Sequence, residues 1–294
     1  MIEKKIVNEA INLWREFINE ILYENRYFTR HRVLEIVEKI VNSNTIFVNQ
    51  KTELFRARIF DEEIDFLTNL DSNDSEATSA EDKIDRLKAA FMKNAIRSEV
   101  KKRLDTGFWG YDKEKSHAPQ NHKIISDGRA NPKCIAYLYT AFEEYTAMVE
   151  VRPYLKSNVS IAVIKPLEEL KIADLSLSSF KNTNDLELII HYLVMNAFSK
   201  PVNNNVDEYI PTQYISEYIK SLGFDGVKFN SSLNNVGNNL TIFYPKKCEA
   251  IRSKLVEIES IHFEGNEIAP NKDNKVLSQY LKNLKIISLP HLKK

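Results

Sequence analysis

The arrangement of apolar residues in the second half of the chain constrains its fold most. Residues 158–166, NVSIAVIKP, place Val159, Ile161 and Val163 on one face of an extended segment, which predicts a buried strand. Residues 184–198, NDLELIIHYLVMNAF, are apolar on nearly every side, which predicts a buried helix. Buried elements of both kinds indicate an α+β fold, with a mixed β core and surrounding helices.

Periodicity elsewhere supplies further elements. Helical spacing of apolar residues predicts helices over residues 3–24, 31–43, 81–104 and 212–223. Thr212 is a candidate cap for the last of these helices, and Gly223 a candidate C-terminal stop. Strands are predicted at residues 54–60, 134–141, 225–232 and 239–245. Residues 69–82 are polar and acidic and predict a loop, and residues 105–132 form a long irregular stretch of the kind that is usually functional or disordered.

Composition argues against several classes of protein. Lysine plus arginine and aspartate plus glutamate are 41 each, so no basic excess points to nucleic acid. Two cysteines make no disulfide framework, and no signal peptide or membrane-length apolar run is found, so we expect a cytoplasmic protein outside the membrane. The six histidines show no ligand spacing, so no metal is expected, and both the Walker loop and the dinucleotide glycine motif are absent.

Glycine is scarce and clustered. The chain has seven glycines, and six of them fall within residues 107–128 and 223–237. Glycine serves where the backbone needs unusual angles or close approach, so these two stretches are where a site is expected.

Two arginines share one predicted strand, LFRARIF. Arg56 and Arg58 project to the same side, roughly 6.6 Å apart from the rise per residue. A pair of guanidinium groups flanked by apolar residues suits a phosphate or carboxylate. Taken alone, the pattern is more typical of a solvated edge strand. The turn GRANP, which contains Arg129 and Asn131, is equally compatible with an ordinary turn.

Three glutamates occur in LYTAFEEYTAMVEVRP, residues 138–153. Glu143 and Glu144 fit a solvated turn or helix start and are expected to be dispensable surface charges. Glu150 lies in an apolar run, and burying an unpaired carboxylate costs several kcal/mol, so a part-buried carboxylate with a partner is expected. Nearby Arg152 is one such partner, and a role in a site is the alternative. Ser231 and Ser232 lie at a strand end without the glycine-flanked elbow of a hydrolase nucleophile.

Taken in order, three segments resemble the RES-domain family, which is named for an arginine, a glutamate and a serine. They are LFRAR, GRANPKCIAYLYTAFEEYTAMVEVRP and PTQYISEYIKSLGFDGVKFNSSLNNVGNNLTIF, and the resemblance covers residues 54–245. It implies an ADP-ribosyltransferase-like fold. The family arginine falls on Arg56, the glutamate on Glu150, the serine on Ser231 and the tyrosine of an LYL motif on Tyr139. Cys134, Ala136 and Phe229 depart from the usual glycine, proline and tyrosine.

The resemblance also implies an activity and partners. Family members consume NAD as substrate by cleaving its nicotinamide–ribose bond, as NAD glycohydrolases or phosphorylases. They act as toxins of toxin–antitoxin systems or in antiviral (phage) defence, often with a helix-turn-helix antitoxin. A homodimer is one option for their assembly. An ADP-ribosyltransferase that modifies a macromolecule is the alternative activity.

Residue chemistry is compatible with this activity. Nicotinamide in NAD is already cationic and leaves as a neutral molecule, so the second carboxylate of a glycosidase is unnecessary. The expected catalytic residues are Glu150, Arg56 and Ser231. The expected substrate-binding residues are Arg58, Tyr139, Arg129, Asn131 and Ser232. Glu150 would stabilise the oxocarbenium-like charge, Arg56 would bind the pyrophosphate with Arg58 as helper, and Tyr139 would stack on nicotinamide.

Three regions are expected along the chain. Residues 1–50 form a helical N-terminal segment, residues 51–250 the RES domain, and residues 251–294 a C-terminal extension packed on the core. Packing or a partner surface is the favoured role of the N-terminal helices. Arg26 and His31 have a spacing found in helical ribonucleases, so a ribonuclease of the HEPN type is the less favoured alternative.

Overall fold

The computed structural model describes residues 3–61, 98, 100–176, 179, 184–199, 206–234 and 236–262. The chain divides into two compact units, Met1–Glu259 and Ser260–Lys294. The first unit carries all the elements described below. The predicted loop at residues 69–82 and most of the predicted helix 81–104 lie outside the described residues, as do residues 263–294 of the predicted C-terminal extension.

Two of the described helices precede the first strand, and the others lie between later strands of the chain. The helices are α1 (Lys4–Asn19), which continues into a π-helical turn (Glu20–Glu24), α2 (Arg32–Ser43), α3 (residues 100–106), α4 (Glu144–Glu150), α5 (Asp185–Ser199) and α6 (Ile210–Ser221). Short 3-10 turns occur at His122–Ile124, Val206–Tyr209 and Pro245–Lys247. None of the helices among the described residues has the length and hydropathy that crossing a bilayer requires.

One sheet of eight strands organises the described part of the unit. Its strands are β1 (Thr45–Val48), β2 (Leu54–Phe60), β3 (Leu138–Ala141), β4 (Asn158–Pro166), β5 (Leu170–Asp174), β6 (Gly226–Asn230), β7 (Asn238–Ile242) and β8 (Cys248–Glu257). Their order is β1-β5-β6-β7-β3-β2-β4-β8, and every neighbouring pair is antiparallel except β5 and β6. The mixed sheet with surrounding helices confirms the predicted α+β class.

Strand β4 is buried on both faces, which explains its apolar sequence. It pairs with β2 along one edge and with β8 along the other. Its residues Val159 and Ile161 pack in a cluster with Ala147 of α4, whereas Ala162 and Ile164 pack in a second cluster on the opposite face. Alternating residues of one strand therefore reach two cores, as expected for a central strand.

The N-terminal helices pack on later helices of the same unit. α1 packs against α5, and α2 packs against both α5 and α6. Phe17 of α1 is fully buried and meets the ring of Tyr214 in α6 with centroids 5.8 Å apart. Eight residues of α5 are buried, and seven of them are consecutive, so the helix is buried on every side, in agreement with the prediction.

Helix α6 begins earlier than predicted. Its N-cap position is Tyr209 and Pro211 occupies its first turn, where the fixed φ of proline favours helix initiation. The prediction that Thr212 caps the helix is therefore wrong, because Thr212 lies inside α6. The predicted stop is confirmed: Gly223 has a φ of +81°, a conformation that favours glycine.

The domain boundaries predicted at residues 50/51 and 250/251 stay predictions. Two features bear on where such boundaries would fall. β1, which lies before residue 50, pairs with β5 in the sheet. β8 continues from Cys248 to Glu257 and stays paired with β4 along its length.

Candidate active site

Four cross-strand neighbours form the floor of a pocket. Phe55 of β2 pairs across the strands with Ala141 of β3. Ala141 also pairs with Asn239 of β7, and Asn239 in turn pairs with Phe229 of β6. Registered neighbours point to the same face of a sheet, so the four side chains form one row. All four line a pocket of about 300 Å³. The other lining residues are Arg56, Ala57, Arg129, Tyr139, Thr140, Ala147, Glu150 and Val151.

The pocket lies where β2 and β3 separate. β2 is registered with β4 over all seven residues, Leu54 to Phe60, but with β3 only through Phe55 and Ala141. Alternation directs Arg56 to the face opposite Phe55, yet both residues line the pocket. Both residues lie at the one position where β2 pairs with β3 or directly after it.

Arg56 and Arg58 hold their guanidinium groups against a single loop. Nη1 of Arg56 donates to the Ser116 carbonyl at 3.5 Å, and Nη1 of Arg58 donates to the Lys115 carbonyl at 2.7 Å. Burial, with the charge of Arg58, lowers the pKa of Arg56 to about 10, so Arg56 remains cationic at neutral pH. Among the described residues, neither arginine forms an ion pair with a carboxylate. Arg58 lines a second pocket rather than the first.

Glu150 is the last residue of α4 and is held by two donors. The Ser231 hydroxyl donates to its Oε1 at 2.6 Å, and Nδ2 of Asn239 donates to the same oxygen at 2.7 Å. No hydrogen bond to Oε2 is found among the described residues. The prediction of a part-buried Glu150 is wrong, because the residue is exposed at the pocket and the buried face of this short helix is made by Thr146 and Ala147.

Arg152 does not neutralise Glu150. No ion pair joins the two side chains within the part of the chain that the structure describes. Arg152 instead has a φ of +48° just after α4. Arg56 and Arg129 line the pocket together with Glu150. The charge of Glu150 acts on Arg129, and the expected juxtaposition of Glu150 and Arg56 stays a prediction.

Ser231 is both a partner of Glu150 and part of a turn. The residue is buried, and its Oγ accepts from the backbone N–H groups of Leu233 and Asn234, each at 3.1 Å. With its proton directed to Glu150, the hydroxyl is fixed in one orientation. The neighbouring Ser232 is exposed and does not line the pocket.

Glu143 ties α4 to the turn that carries Ser231. Its Oε2 accepts from the Thr146 hydroxyl at 2.9 Å and from the backbone N–H of Asn238 at 3.0 Å. The Thr146 hydroxyl in turn accepts from Nδ2 of Asn234 at 2.8 Å. A Cβ at Gly237 would lie 2.1 Å from that hydroxyl, so glycine is required for the close approach.

The expectation that Glu143 and Glu144 are alike is therefore contradicted. Glu144 makes a surface ion pair with Lys254 at 2.7 Å, and exposed pairs of this kind contribute little. Glu143 satisfies a backbone donor and a hydroxyl beside the pocket, so it is a structural residue.

The turn GRANP brings Arg129 to the pocket. Nε2 of Gln213 donates to the carbonyls of Gly128 and Asn131, at 2.9 and 3.0 Å. The Thr212 hydroxyl lies 2.5 Å from the Arg129 carbonyl, which accepts from it. Burial lowers the pKa of Arg129, and the charge of Glu150 is among the effects that oppose this shift. Thr212 and Gln213 of α6 thus hold the turn that brings Arg129, a second cation, into the same pocket as Glu150.

Tyr139 is fixed by the same turn. Its hydroxyl accepts from the backbone N–H of Ala130 at 3.0 Å and donates to Oδ1 of Asn131 at 2.7 Å. Burial raises the pKa of Tyr139 to about 12, so it stays neutral. Asn131 is buried and absent from the pocket lining, so it positions Tyr139 while Tyr139 itself lines the pocket.

Asn239 was not among the residues predicted for the site. Its position in a short predicted strand gave no signal, because its contact with Glu150 depends on the pairing of β7 with β3. Among the described residues, no group of three histidine, cysteine or acidic side chains is arranged to hold a metal.

Arg26 and His31 make local contacts. Nε of Arg26 donates to the Ile21 carbonyl at 3.2 Å. Nδ1 of His31 accepts from the backbone N–H of Val33 and caps α2. His31 also packs against the ring of Phe17, with centroids 5.7 Å apart. Both residues thus make contacts within the N-terminal helical segment, and the ribonuclease alternative stays a prediction.

Comparisons with known proteins identify a family and a similar solved structure. The crystal structure of the M. tuberculosis MbcT–MbcA toxin–antitoxin complex contains a chain that is 14% identical, with a TM-score of 0.36, over 76% of this chain and 91% of that one. A search of curated proteins finds no match. The family model described as the RES domain matches residues 98–264, more than half of the 294 residues, a range that begins after Arg56. The chain therefore belongs to the RES-domain family.

Proposed function

We propose that this protein cleaves the nicotinamide–ribose bond of NAD, with water or phosphate as acceptor, and thereby acts as a growth-inhibiting toxin or anti-phage effector. The observation that carries the proposal is the fixed carboxylate of Glu150, held by Ser231 and Asn239 in a pocket with two cations. NAD has a matching distribution of charge, because its pyrophosphate is anionic and its reacting ring is cationic.

The chemistry requires one carboxylate. As the bond between C1′ and the nicotinamide nitrogen breaks, its electron pair passes to the ring, which leaves as neutral nicotinamide. Positive charge develops on the ribose, and a preorganised carboxylate stabilises it. The acceptor oxygen then bonds to C1′, and when water is the acceptor its proton passes to solvent.

The two oxygens of Glu150 have different surroundings that suit this role. Oε1 accepts from Ser231 and Asn239, which fixes the plane of the carboxylate. Oε2 has no donor among the described residues, so it is the oxygen assigned to the ribose hydroxyls. A carboxylate held in advance costs little reorganisation in the transition state.

The remaining lining residues supply binding. Arg56 is cationic at neutral pH and is assigned to the pyrophosphate. Tyr139, neutral and fixed through its hydroxyl, offers its ring to the nicotinamide. Arg129 provides a second positive charge beside Glu150. A helix-turn-helix antitoxin that covers this pocket is the partner we propose from the family resemblance, and the cytoplasm, where NAD is abundant, is the proposed location.

The decisive experiment follows free nicotinamide. Purified protein is incubated with NAD, in the presence and absence of phosphate, and nicotinamide is separated and quantified. Wild type is expected to release it, and Glu150→Gln to release it at least about 100-fold more slowly. Glu144→Gln, six residues earlier on the same helix, is the matched control and should retain activity.

Two results would contradict the proposal. One is the absence of nicotinamide under both conditions together with equal growth of cells that express wild type or Glu150→Gln. The other is transfer of label from NAD to protein or RNA with little free ADP-ribose, which would favour an ADP-ribosyltransferase that uses the same residues.

A further inference from the structure

A second pocket is lined by Arg58, whereas Arg56 lines the first. Its volume is about 440 Å³, and it is formed by the end of β2 and the stretch between residues 111 and 124. Its lining residues are Arg58, Asp61, Tyr111, Glu114, Lys115, His117, Pro119, Gln120, Asn121 and Ile124. The first pocket has none of these residues in its lining.

Arg56 connects the two pockets. Arg56 is one of the residues that line the first pocket, and its guanidinium group donates to the carbonyl of Ser116. The residues on either side of Ser116, Lys115 and His117, both line the second pocket. Arg56 and Arg58 lie two residues apart on one face of β2, so two neighbouring cations line one pocket each.

We propose that the second pocket binds the adenosine end of the dinucleotide, with an unphosphorylated ribose, while its diphosphate lies across Arg56 and Arg58. This assignment rests on the proposed function, because it places one half of NAD in each pocket. It adds the residues that recognise the half of NAD that takes no part in the reaction.

Arg58 is held by two contacts and forms no ion pair with a carboxylate among the described residues, although Asp61 lines the same pocket. Its guanidinium group lies over the ring of Tyr111, 4.7 Å from the centroid, and Nη1 donates to the Lys115 carbonyl. The Tyr111 hydroxyl donates to the carboxylate of Asp61, so the ring cannot turn away. Two guanidinium groups held close together repel each other, and a bound diphosphate offsets that repulsion.

The far part of the pocket suits a nucleoside. Ile124 is 69% exposed and, with Pro119, offers an apolar surface to a base. Gln120 is exposed and makes no side-chain hydrogen bond among the described residues, so its amide is free for the edge of a base.

A carboxylate sets the preference for the ribose. Glu114 is exposed, lines the pocket and forms no ion pair with any described residue. A carboxylate accepts hydrogen bonds from ribose hydroxyls and repels a phosphate at the same position. The pocket is therefore expected to favour NAD over NADP.

The test uses adenosine 5′-monophosphate (AMP) as the probe and calorimetry on the full chain. Wild type is expected to bind AMP, and ADP-ribose should displace it. Ile124→Ala and Gln120→Ala should each weaken AMP binding about tenfold. Both side chains are exposed, so the variants should fold. Phe47→Ala, at an exposed residue of the sheet-edge strand β1, is the matched control and should bind AMP like wild type.

A second arm tests the ribose. Adenosine 2′,5′-bisphosphate should bind more weakly than AMP to wild type, and Glu114→Gln should reduce that difference. AMP that fails to bind would overturn the proposal, as would binding unchanged in Ile124→Ala and Gln120→Ala. AMP binding without competition against NAD turnover would show a separate site and would equally overturn it.

The two proposals fail in distinguishable ways. AMP binding that depends on Ile124, in a protein that releases no nicotinamide, would leave the nucleoside pocket intact and contradict only the cleavage of NAD. Nicotinamide release by a protein that does not bind AMP would leave the cleavage of NAD intact and contradict only the nucleoside pocket. Glu150→Gln should bind AMP normally in either case, because Glu150 lines only the first pocket.

Discussion

Oε1 of Glu150 accepts one hydrogen bond from Ser231, at 2.6 Å, and a second from Asn239, at 2.7 Å. Glu150 ends helix α4, Ser231 follows strand β6 and Asn239 lies in β7, so one oxygen joins three separate elements. The orientation of the carboxylate is thereby fixed by Ser231 and Asn239 of the sheet region rather than by residues of α4. The effects of substituting the two donors should consequently depend on each other.

Ser231→Ala and Asn239→Ala are each expected to slow nicotinamide release about 10- to 100-fold, because each removes a hydrogen bond to a carboxylate worth roughly 1.5–3 kcal/mol. The double variant should be slower than either single variant but less slow than the product of the two effects, since losing either donor already loosens Glu150 and leaves less for the second substitution to remove. Rates at saturating NAD measure this. Strictly multiplicative effects would contradict the shared-oxygen arrangement.

Ser232→Ala is the control for this cycle. Ser232 is adjacent to Ser231 but exposed and outside the pocket lining, so its removal should leave the rate within twofold of wild type, about the precision of such a comparison. If Ser232→Ala slowed the reaction as much as Ser231→Ala, the role assigned to Ser231 would be wrong.

Glu143→Ala is expected to lower both stability and turnover. The substitution leaves the Asn238 N–H and the Thr146 hydroxyl without their acceptor, which costs about 1–3 kcal/mol for each buried group left unsatisfied. The turn that carries Ser231 is fastened through the same network, so kcat should fall more than KM rises. Urea unfolding and steady-state kinetics measure the two effects.

Glu144→Ala provides the comparison. Its ion pair with Lys254 is exposed, so the loss of stability should stay below about 1 kcal/mol and turnover should be unchanged. Equal behaviour of the Glu143 and Glu144 variants would show that the network does not position the site.

Much of the scaffold could be predicted from the sequence because its signals are local. The ranges predicted for β2 and β4, 54–60 and 158–166, agree with the observed strands, since alternation and length report burial directly. The clustering of glycine also pointed to the site. Gly128 and Gly237 both allow the close approach of side chains that hold the pocket residues in place.

The details of the site could not be predicted because they arise from pairing between distant strands. Asn239 reaches Glu150 only through the register of β7 with β3, which no local pattern encodes. The exposure of Glu150 follows from its place at the end of α4, whereas its apolar neighbours suggested burial. The separate roles of Glu143 and Glu144 likewise depend on Asn238, which is remote in sequence.

Gly128→Ala is expected to impair the site more than the fold of the sheet. A Cβ at this position would lie 2.3 Å from Oδ1 of Asn131 and 2.7 Å from the Tyr139 hydroxyl, so the turn must shift. Both Arg129 and Tyr139 would then move, and nicotinamide release should fall at least about tenfold, since small displacements of positioning groups are costly. The rate and the melting temperature should be measured together.

Gly223→Ala is the control for Gly128→Ala, because it introduces backbone strain without a steric clash. Gly223 has a positive φ, but nothing lies within 4 Å of a Cβ placed there. The variant should lose about 1 kcal/mol of stability from strain and keep its activity below the melting transition. Activity retained in Gly128→Ala, or lost in Gly223→Ala, would contradict the role of the GRANP turn.

Stability at acid pH should depend on His191 of α5, which is 3% exposed. Burial lowers its pKa from 6.5 to about 4. Between these values the unfolded chain binds a proton that the folded chain does not, so the free energy of unfolding falls as pH drops from about 6.5 to about 4. The full shift corresponds to about 3 kcal/mol. Urea unfolding across this range measures the slope.

His191→Gln keeps a side-chain donor but cannot titrate, so its unfolding free energy should fall less over the same range. Burial also lowers the pKa of His117, so the variant retains part of the slope, and the difference from wild type isolates His191. His122→Gln, at an exposed histidine, is the control for the substitution itself. A His191→Gln curve parallel to wild type between pH 6.5 and 4 would show that His191 takes up its proton without opening the core.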